Sequence, residues 1–375
     1  MEISAFALLY NYRLFRRLAG KTAGIMAVVK ANAYGHGMAE VAKILATSAS
    51  PKSQVPGSKT DSRPLWFGVD SGAEALALRG IGISEPILVL GLICPEEFRG
   101  LTANNVSFVL ARKEDIDLLP PRAKFQIKIE TGTNRLGFFP QELPFVIRRL
   151  ERLRKRPEGF YTHFADAENT HSRFWKRQLV EFRRAEGLFL RAWSAPLFKH
   201  ASATAAALQY PSARFDIVRV GIGLYGLEPD PRLRALPVVQ KLRPVLSWKT
   251  RTVQVKKVLR GATVGYDRTF RARRPMTIAV LPVGYWDGYD RGLSSRGVVL
   301  LRGKRARVIG RVCMNMTMVD VSDVPRPGVG EEVTLLGKSR NGEEITVANM
   351  ARQLHTITYE VVTRINPLIP RVIVL

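Results

Sequence analysis

Eight short apolar runs recur through the first two-thirds of the chain, and they constrain its fold more than any other feature. They occupy residues 24–30, 65–69, 86–90, 106–110, 125–129, 159–163, 197–200 and 217–220. Most are almost continuously hydrophobic, as strands buried on both faces of a parallel sheet must be. Several intervening segments carry helical periodicity, for example 39–45 and 174–193. Eight strands alternating with helices predict a (β/α)8 barrel.

After about residue 240 the texture changes. Strand-like stretches at 246–258, 276–283, 297–301, 306–312, 316–321 and 332–336 follow one another with little helix between them. Gly-Lys at 303–304 and Asn-Gly at 341–342 read as hairpin turns. The expected organisation is a barrel over 1–240 and a mostly β domain over 241–375. Residues 47–62, rich in Ser, Pro, Lys and Gly, read as a mobile surface insertion in the barrel.

The chain has 375 residues, enough for two domains and a large core. Its two cysteines, Cys94 and Cys313, make no disulfide framework, and a reducing compartment fits. There is no leader-like start and no bilayer-length apolar run, so the expected location is the cytoplasm, away from membranes. The net charge of +26 would suit a polyanion partner. The basic residues are spread along the whole chain, however, and the densest run, 148–156, interleaves Leu150 and Leu153 at helical spacing. That is the pattern of a solvated helix face. No nucleic-acid-binding motif accompanies it, so no specific nucleic-acid partner is expected.

A (β/α)8 barrel places its active site at the C-terminal ends of its strands. The polar residues expected there are Lys30, Lys128, Arg135, His163, Thr204 and Arg219. A lysine at a barrel mouth can attach a carbonyl-bearing cofactor; a bare lysine at a strand end more often just reaches for solvent. No metal-ligand cluster is apparent.

The run Ala27-Val-Val-Lys-Ala-Asn-Ala-Tyr-Gly-His-Gly37 resembles the cofactor-lysine signature of alanine racemases. So do, in order, 128–138, 161–165, 218–226, 264–270, 283–289, 310–315 and 359–361. The resemblance spans nearly the whole chain apart from the 47–62 insertion. It implies pyridoxal 5′-phosphate (PLP) on Lys30 and interconversion of L- and D-alanine. Lys30 and Tyr266 would be acid–base groups on opposite faces, because inversion removes a proton from one face and returns one to the other. An ordinary phenol is a poor base at neutral pH; His163 and Arg219 are the implied partners of Tyr266. Arg219 would also face the pyridine nitrogen and keep it unprotonated, because a guanidinium gives up its proton reluctantly.

The implied phosphate contacts are Tyr34, Thr204, Tyr359 and the N–H groups of Gly221 and Ile222. Arg135 would meet the cofactor's phenolic oxygen and the substrate carboxylate, and Lys128, carboxylated in some members, would orient it. Tyr285, Met314 and Asn315 would contact substrate. Together with Tyr266 and Cys313 they would come from a partner chain, which implies a homodimer with shared sites. Two positions depart from the family pattern. Ala203-Thr204 stands where Asn-Ser is usual, and Asn315 where Asp is usual. The rival readings are a racemase of different or broader specificity, a decarboxylase of the same fold type, and a PLP carrier or nucleic-acid-binding protein without catalysis.

Overall fold

The structure is a computed structural model that describes residues 1–49 and 64–375. Strand β1 (Glu2–Ser4) opens the chain. The eight expected barrel strands follow: β2 (Gly24–Val28), β3 (Leu65–Val69), β4 (Ile87–Val89), β5 (Ser107–Leu110), β6 (Phe125–Lys128), β7 (Gly159–Tyr161), β8 (Phe198–His200) and β9 (Ile217–Val220). They pair in parallel in the order β8-β7-β6-β5-β4-β3-β2-β9. The seam between β8 and β9 is drawn together by the Asp216 N–H to the Lys199 carbonyl at 3.0 Å and the Arg219 N–H to the Ser202 carbonyl at 3.3 Å. Strands β2 to β7 are buried at every position, which explains their mostly apolar runs. Gly159 is required at its place: a Cβ there would lie 2.4 Å from the Phe198 carbonyl oxygen.

Four of the strands, β2, β4, β6 and β7, stop earlier than the apolar runs suggest. β2 ends at Val28, so Lys30 stands two residues beyond it and opens the following turn. The helix Met38–Ala49 takes in the first residues of the expected 47–62 insertion; the rest of that segment lies outside the described residues. The basic run begins inside the helix Leu143–Arg152, which buries Leu143, Val146, Ile147 and Leu150 and turns Arg148 and Arg152 outward. Leu153 lies just past that helix. No described helix is long and apolar enough to cross a membrane.

The chain divides into two compact units. One comprises Leu9–Ala33 and Met38–Leu242, and holds the barrel. The other comprises Met1–Leu8, Tyr34–Gly37 and Arg243–Leu375. Its main sheet runs, in pairing order, through Gln254–Val258, Met276–Leu281, Thr317–Asp320, Lys304–Val308, Val298–Leu301, Glu332–Lys338, Leu246–Arg251, β1 and Val372–Val374. The pairing is antiparallel except where β1 meets Val372–Val374. The expected strand 246–258 is in fact two, broken at Thr252 and Val253. The hairpin loop is Arg302-Gly303 rather than Gly303-Lys304, because Leu301 pairs with Lys304. Both loop residues have positive φ, 50° and 72°, as a two-residue turn matched to strand twist needs.

Candidate active site

The cofactor-lysine signature folds into an unusual turn. Ala31, Asn32, Ala33 and Tyr34 all have φ of 52–53°. Four consecutive left-handed residues, none of them glycine, cost roughly 1–2 kcal/mol each and persist only where the surroundings impose them. Glu74 does much of the imposing. One of its carboxylate oxygens accepts from the Ala31 N–H at 2.8 Å, the other from the Asp70 N–H at 2.7 Å. The Asn32 side chain accepts from the Met38 N–H at 2.9 Å. Lys30 Nζ meets Asp70 Oδ1 at 2.9 Å. Asp70 directly follows β3, so the strand-end rule that found Lys30 would have found it too.

Lys128 closes β6 and is buried. Burial, then Arg219 and Arg135, push its amine well below the usual lysine range. Its Nζ lies 4.6 Å above the Tyr161 ring. The loop that follows is organised by Glu130, which the sequence reading missed. Its carboxylate accepts from the Gly132 N–H at 2.6 Å, the Thr133 hydroxyl at 2.8 Å and the Arg135 N–H at 3.1 Å. Burial raises this carboxyl, but the backbone N–H donors and Thr133 together outweigh it and hold it down at about 2.

A group depressed in the folded state stabilises above its unfolded value and loses that contribution as pH falls through the folded value. From the usual 4.5 to about 2 the difference is worth about 3 kcal/mol. Glu130→Gln is therefore expected to lower the melting temperature at pH 7. The gap from wild type should narrow steadily as pH falls from about 4.5 towards 2. A gap that stays constant with pH would show that the carboxylate charge is not what orders the loop.

Arg219, on β9, is buried with no carboxylate partner among the described residues. Its Nη2 donates to the Thr162 and Ala201 carbonyls, each at 2.8 Å, and lies 3.3 Å from His163 Nδ1. Its Nη1 lies 2.5 Å from His200 Nδ1. Structural pairing with an acid is thus excluded for this arginine. His200, which ends β8, is another residue the strand-end rule could have found. His163 is driven well below the ordinary histidine range, first by burial and then by Arg219, Lys128, Arg135 and Lys30. Lys30, Arg135 and Arg219, with the amine of Lys128, therefore converge on one end of the barrel.

At the same end, Thr204 Oγ1 accepts from the Gly221 N–H at 3.1 Å. The Gly221 N–H thus orients the threonine hydroxyl beside it. Ile222 opens a 3-10 turn, where its N–H has no partner inside that turn. Gly223 permits the close packing: a Cβ there would lie 2.6 Å from both Phe15 and Thr204 side-chain atoms. Ala203 caps the helix Thr204–Gln209 without a side-chain hydrogen bond, so the departure to alanine leaves that helix start uncapped.

The second unit brings Tyr34 and Tyr359 together, with ring centroids 6.0 Å apart. It also gathers Tyr285, Cys313, Met314 and Asn315. The Tyr285 N–H donates to the Cys313 carbonyl and the Trp286 N–H to the Met314 carbonyl, both at 3.0 Å. Tyr266 sits in the turn between the short strands Thr263–Val264 and Phe270–Arg271, flanked by Gly265 and Asp267 at positive φ. Arg311 pairs with Asp267 at 2.5 Å and ties that turn to the 310–316 segment. Tyr266 is 69% exposed, and Tyr285, Trp286, Met314 and Met316 are also exposed.

A barrel with a lysine and converging basic groups at its strand ends, in a chain that also carries a β-sheet unit, defines an α/β protein with a site suited to an anionic ligand. A sequence model of the alanine racemase N-terminal domain matches residues 3–52 and 59–229, and one of the C-terminal domain matches 245–373. The alanine racemase of Carboxydothermus hydrogenoformans is 38% identical over all of this chain and 98% of its own length. That of Leptospira interrogans is 37% identical over all of this chain and 95% of its own. The crystal structure of alanine racemase from Bacillus anthracis with bound L-Ala-P superposes with a TM-score of 0.89 at 32% identity, covering 100% of this chain and 94% of that one. The chain belongs to the alanine racemase family.

Proposed function

We propose that this racemase interconverts L- and D-alanine with PLP carried on Lys30, and with Lys30 and Tyr266 moving protons on opposite faces of the α-carbon. The observation that carries the reading is the convergence of Lys30, Lys128, Arg135 and Arg219 on His163. Such a cluster suits an anionic cofactor and a carboxylate substrate. The residues of the barrel unit fit PLP: the Thr204 hydroxyl and the Ile222 N–H are donors for its phosphate, and Lys30 is the amine for its carbonyl; in the second unit, Tyr34 and Tyr359 carry hydroxyls of the same donor chemistry. When bound, PLP supplies an electron-withdrawing ring that acidifies the α-C–H bond of an attached amino acid.

The chain's own residues do the rest. Arg219 presents a fixed donor to the ring nitrogen and keeps a proton off it, which disfavours reactions that need a stronger electron sink. Arg135, held by the loop on Glu130, binds the substrate carboxylate. Lys128, buried and pushed towards the neutral amine, is a nucleophile for carbon dioxide. Its carbamate would place a negative charge beside Arg135. The exposed Tyr266, Tyr285, Met314 and Asn315 complete the site of a partner subunit in a homodimer. An exposed apolar patch of this kind calls for a cover.

The test is chiral analysis of L-alanine incubated with protein and PLP, followed by borohydride reduction and peptide mapping. D-alanine should form and the label should fall on Lys30; no D-alanine, or a label on another lysine, overturns the reading. Intact mass should show one carbon dioxide on Lys128 that acid removes.

A further inference from the structure

One buried chain of contacts has no part in the chemistry described so far. His200 lies between Arg219 and Gln126: its Nδ1 is 2.5 Å from Arg219 Nη1, and its Nε2 is 2.6 Å from Gln126 Oε1. His200 and Gln126 are wholly buried and Arg219 nearly so. We propose that Gln126 is a positioning residue that locks the tautomer of His200 and, through it, the direction in which Arg219 donates. The proposal rests on the reading of Arg219 as the partner of the cofactor's ring nitrogen.

The hydrogen-bond logic leaves one arrangement. A guanidinium has donors only, so His200 Nδ1 must offer its lone pair. A neutral imidazole with a bare Nδ1 carries its proton on Nε2, and that proton needs an acceptor. The Gln126 amide oxygen is that acceptor. Were the amide reversed, its NH2 would face the Nε2 proton, donor against donor. Burial first, then Arg219 and Lys128, keep His200 well below the ordinary histidine range, so a second proton is disfavoured.

The arrangement carries a cost that shows its direction. Gln126 Nε2 is buried and has no hydrogen-bond partner among the described residues. An orphaned buried amide donor is destabilising. An apolar side chain would avoid that cost but would leave the imidazole free to turn or change tautomer. With the proton on Nδ1, His200 would repel Arg219 rather than accept from it. The ring is also fixed in plane: it stacks on Tyr161 at 4.6 Å between centroids and 5° between planes. Arg219 lies over the same tyrosine ring, 5.3 Å from its centroid. The guanidinium thus has its carbonyl partners, its aromatic platform and one acceptor of fixed polarity. Gln126 anchors that polarity by accepting the proton on Nε2.

The first arm needs no cofactor. The chain has five histidines, few enough to resolve in a nitrogen-15 imidazole spectrum of the apoprotein, with His200 assigned by its absence from His200→Phe. His200 is expected as the neutral tautomer with Nε2 protonated. A proton on Nδ1, or a doubly protonated ring, overturns the proposal.

The second arm uses the PLP-loaded enzyme and Gln126→Met, a substitution of similar volume. In alanine turnover, the measured ratio is pyruvate released, with the amino group left on the cofactor, to alanine racemised. That ratio is expected to rise about tenfold in Gln126→Met and in His200→Phe, and no further when both are combined. Additive effects would place Gln126 outside this chain of contacts and overturn the proposal. Should the protein take up no PLP while the spectrum shows the expected tautomer, the proposed function fails and the lock stands.

Discussion

Two inactive variants, Lys30→Ala and Tyr266→Phe, are expected to recover about a quarter of wild-type activity when their subunits are exchanged. Each alone lacks one of the two proton-moving groups. In a mixed dimer with shared sites, one site receives both defects. The other receives Lys30 from the tyrosine variant and Tyr266 from the lysine variant. Random pairing makes about half of the dimers mixed, each with one good site of two. The exposure of Tyr266, Tyr285, Met314 and Asn315 motivates the experiment, since within one chain these side chains are open to another molecule. If all the groups of a site came from one chain, every site would keep a defect. Continued inactivity after confirmed exchange would falsify shared sites.

Tyr266→Phe is also expected to separate the two faces. Removing one acid–base group costs on the order of 10²–10⁴ in rate. Racemisation needs both faces and should fall by that amount in both directions. Exchange of the α-proton of D-alanine with solvent needs only Lys30 and should survive. Exchange from L-alanine should fall with racemisation. The measurement is proton loss from each enantiomer in deuterated water, followed separately. Equal loss for both would rule out a division of labour between Lys30 and Tyr266. Because Tyr266 is flanked by Gly265 and Asp267 at positive φ and tied through Asp267 to Arg311, phenylalanine should keep the turn and change only the hydroxyl.

The barrel was legible in the sequence for a simple reason. A strand buried on both faces is mostly apolar, so each barrel strand advertises itself locally, and a charged residue just beyond one is conspicuous. The same rule, applied to every strand end, would have added Asp70 after β3 and His200 at the end of β8. Glu130 and Glu74 are different. Each is an ordinary acidic residue in its own segment, and its role exists only because several N–H groups converge on it.

By itself the sequence determined which segments are strands, where the barrel gives way to β-sheet, and which side chains have the chemistry to hold an anion and move a proton. Tertiary structure alone decided the rest. It placed Met1–Leu8 and Tyr34–Gly37 with the C-terminal sheet, because β1 pairs with residues more than 240 positions away. It imposed a left-handed run on Ala31, Asn32, Ala33 and Tyr34, which no local propensity favours. It joined Gln126, His200 and Arg219 from three strands into one buried line of hydrogen bonds. The reason is common to all three: sequence records the preferences of single residues and their near neighbours, whereas these features are set by partners that meet only when the chain has folded.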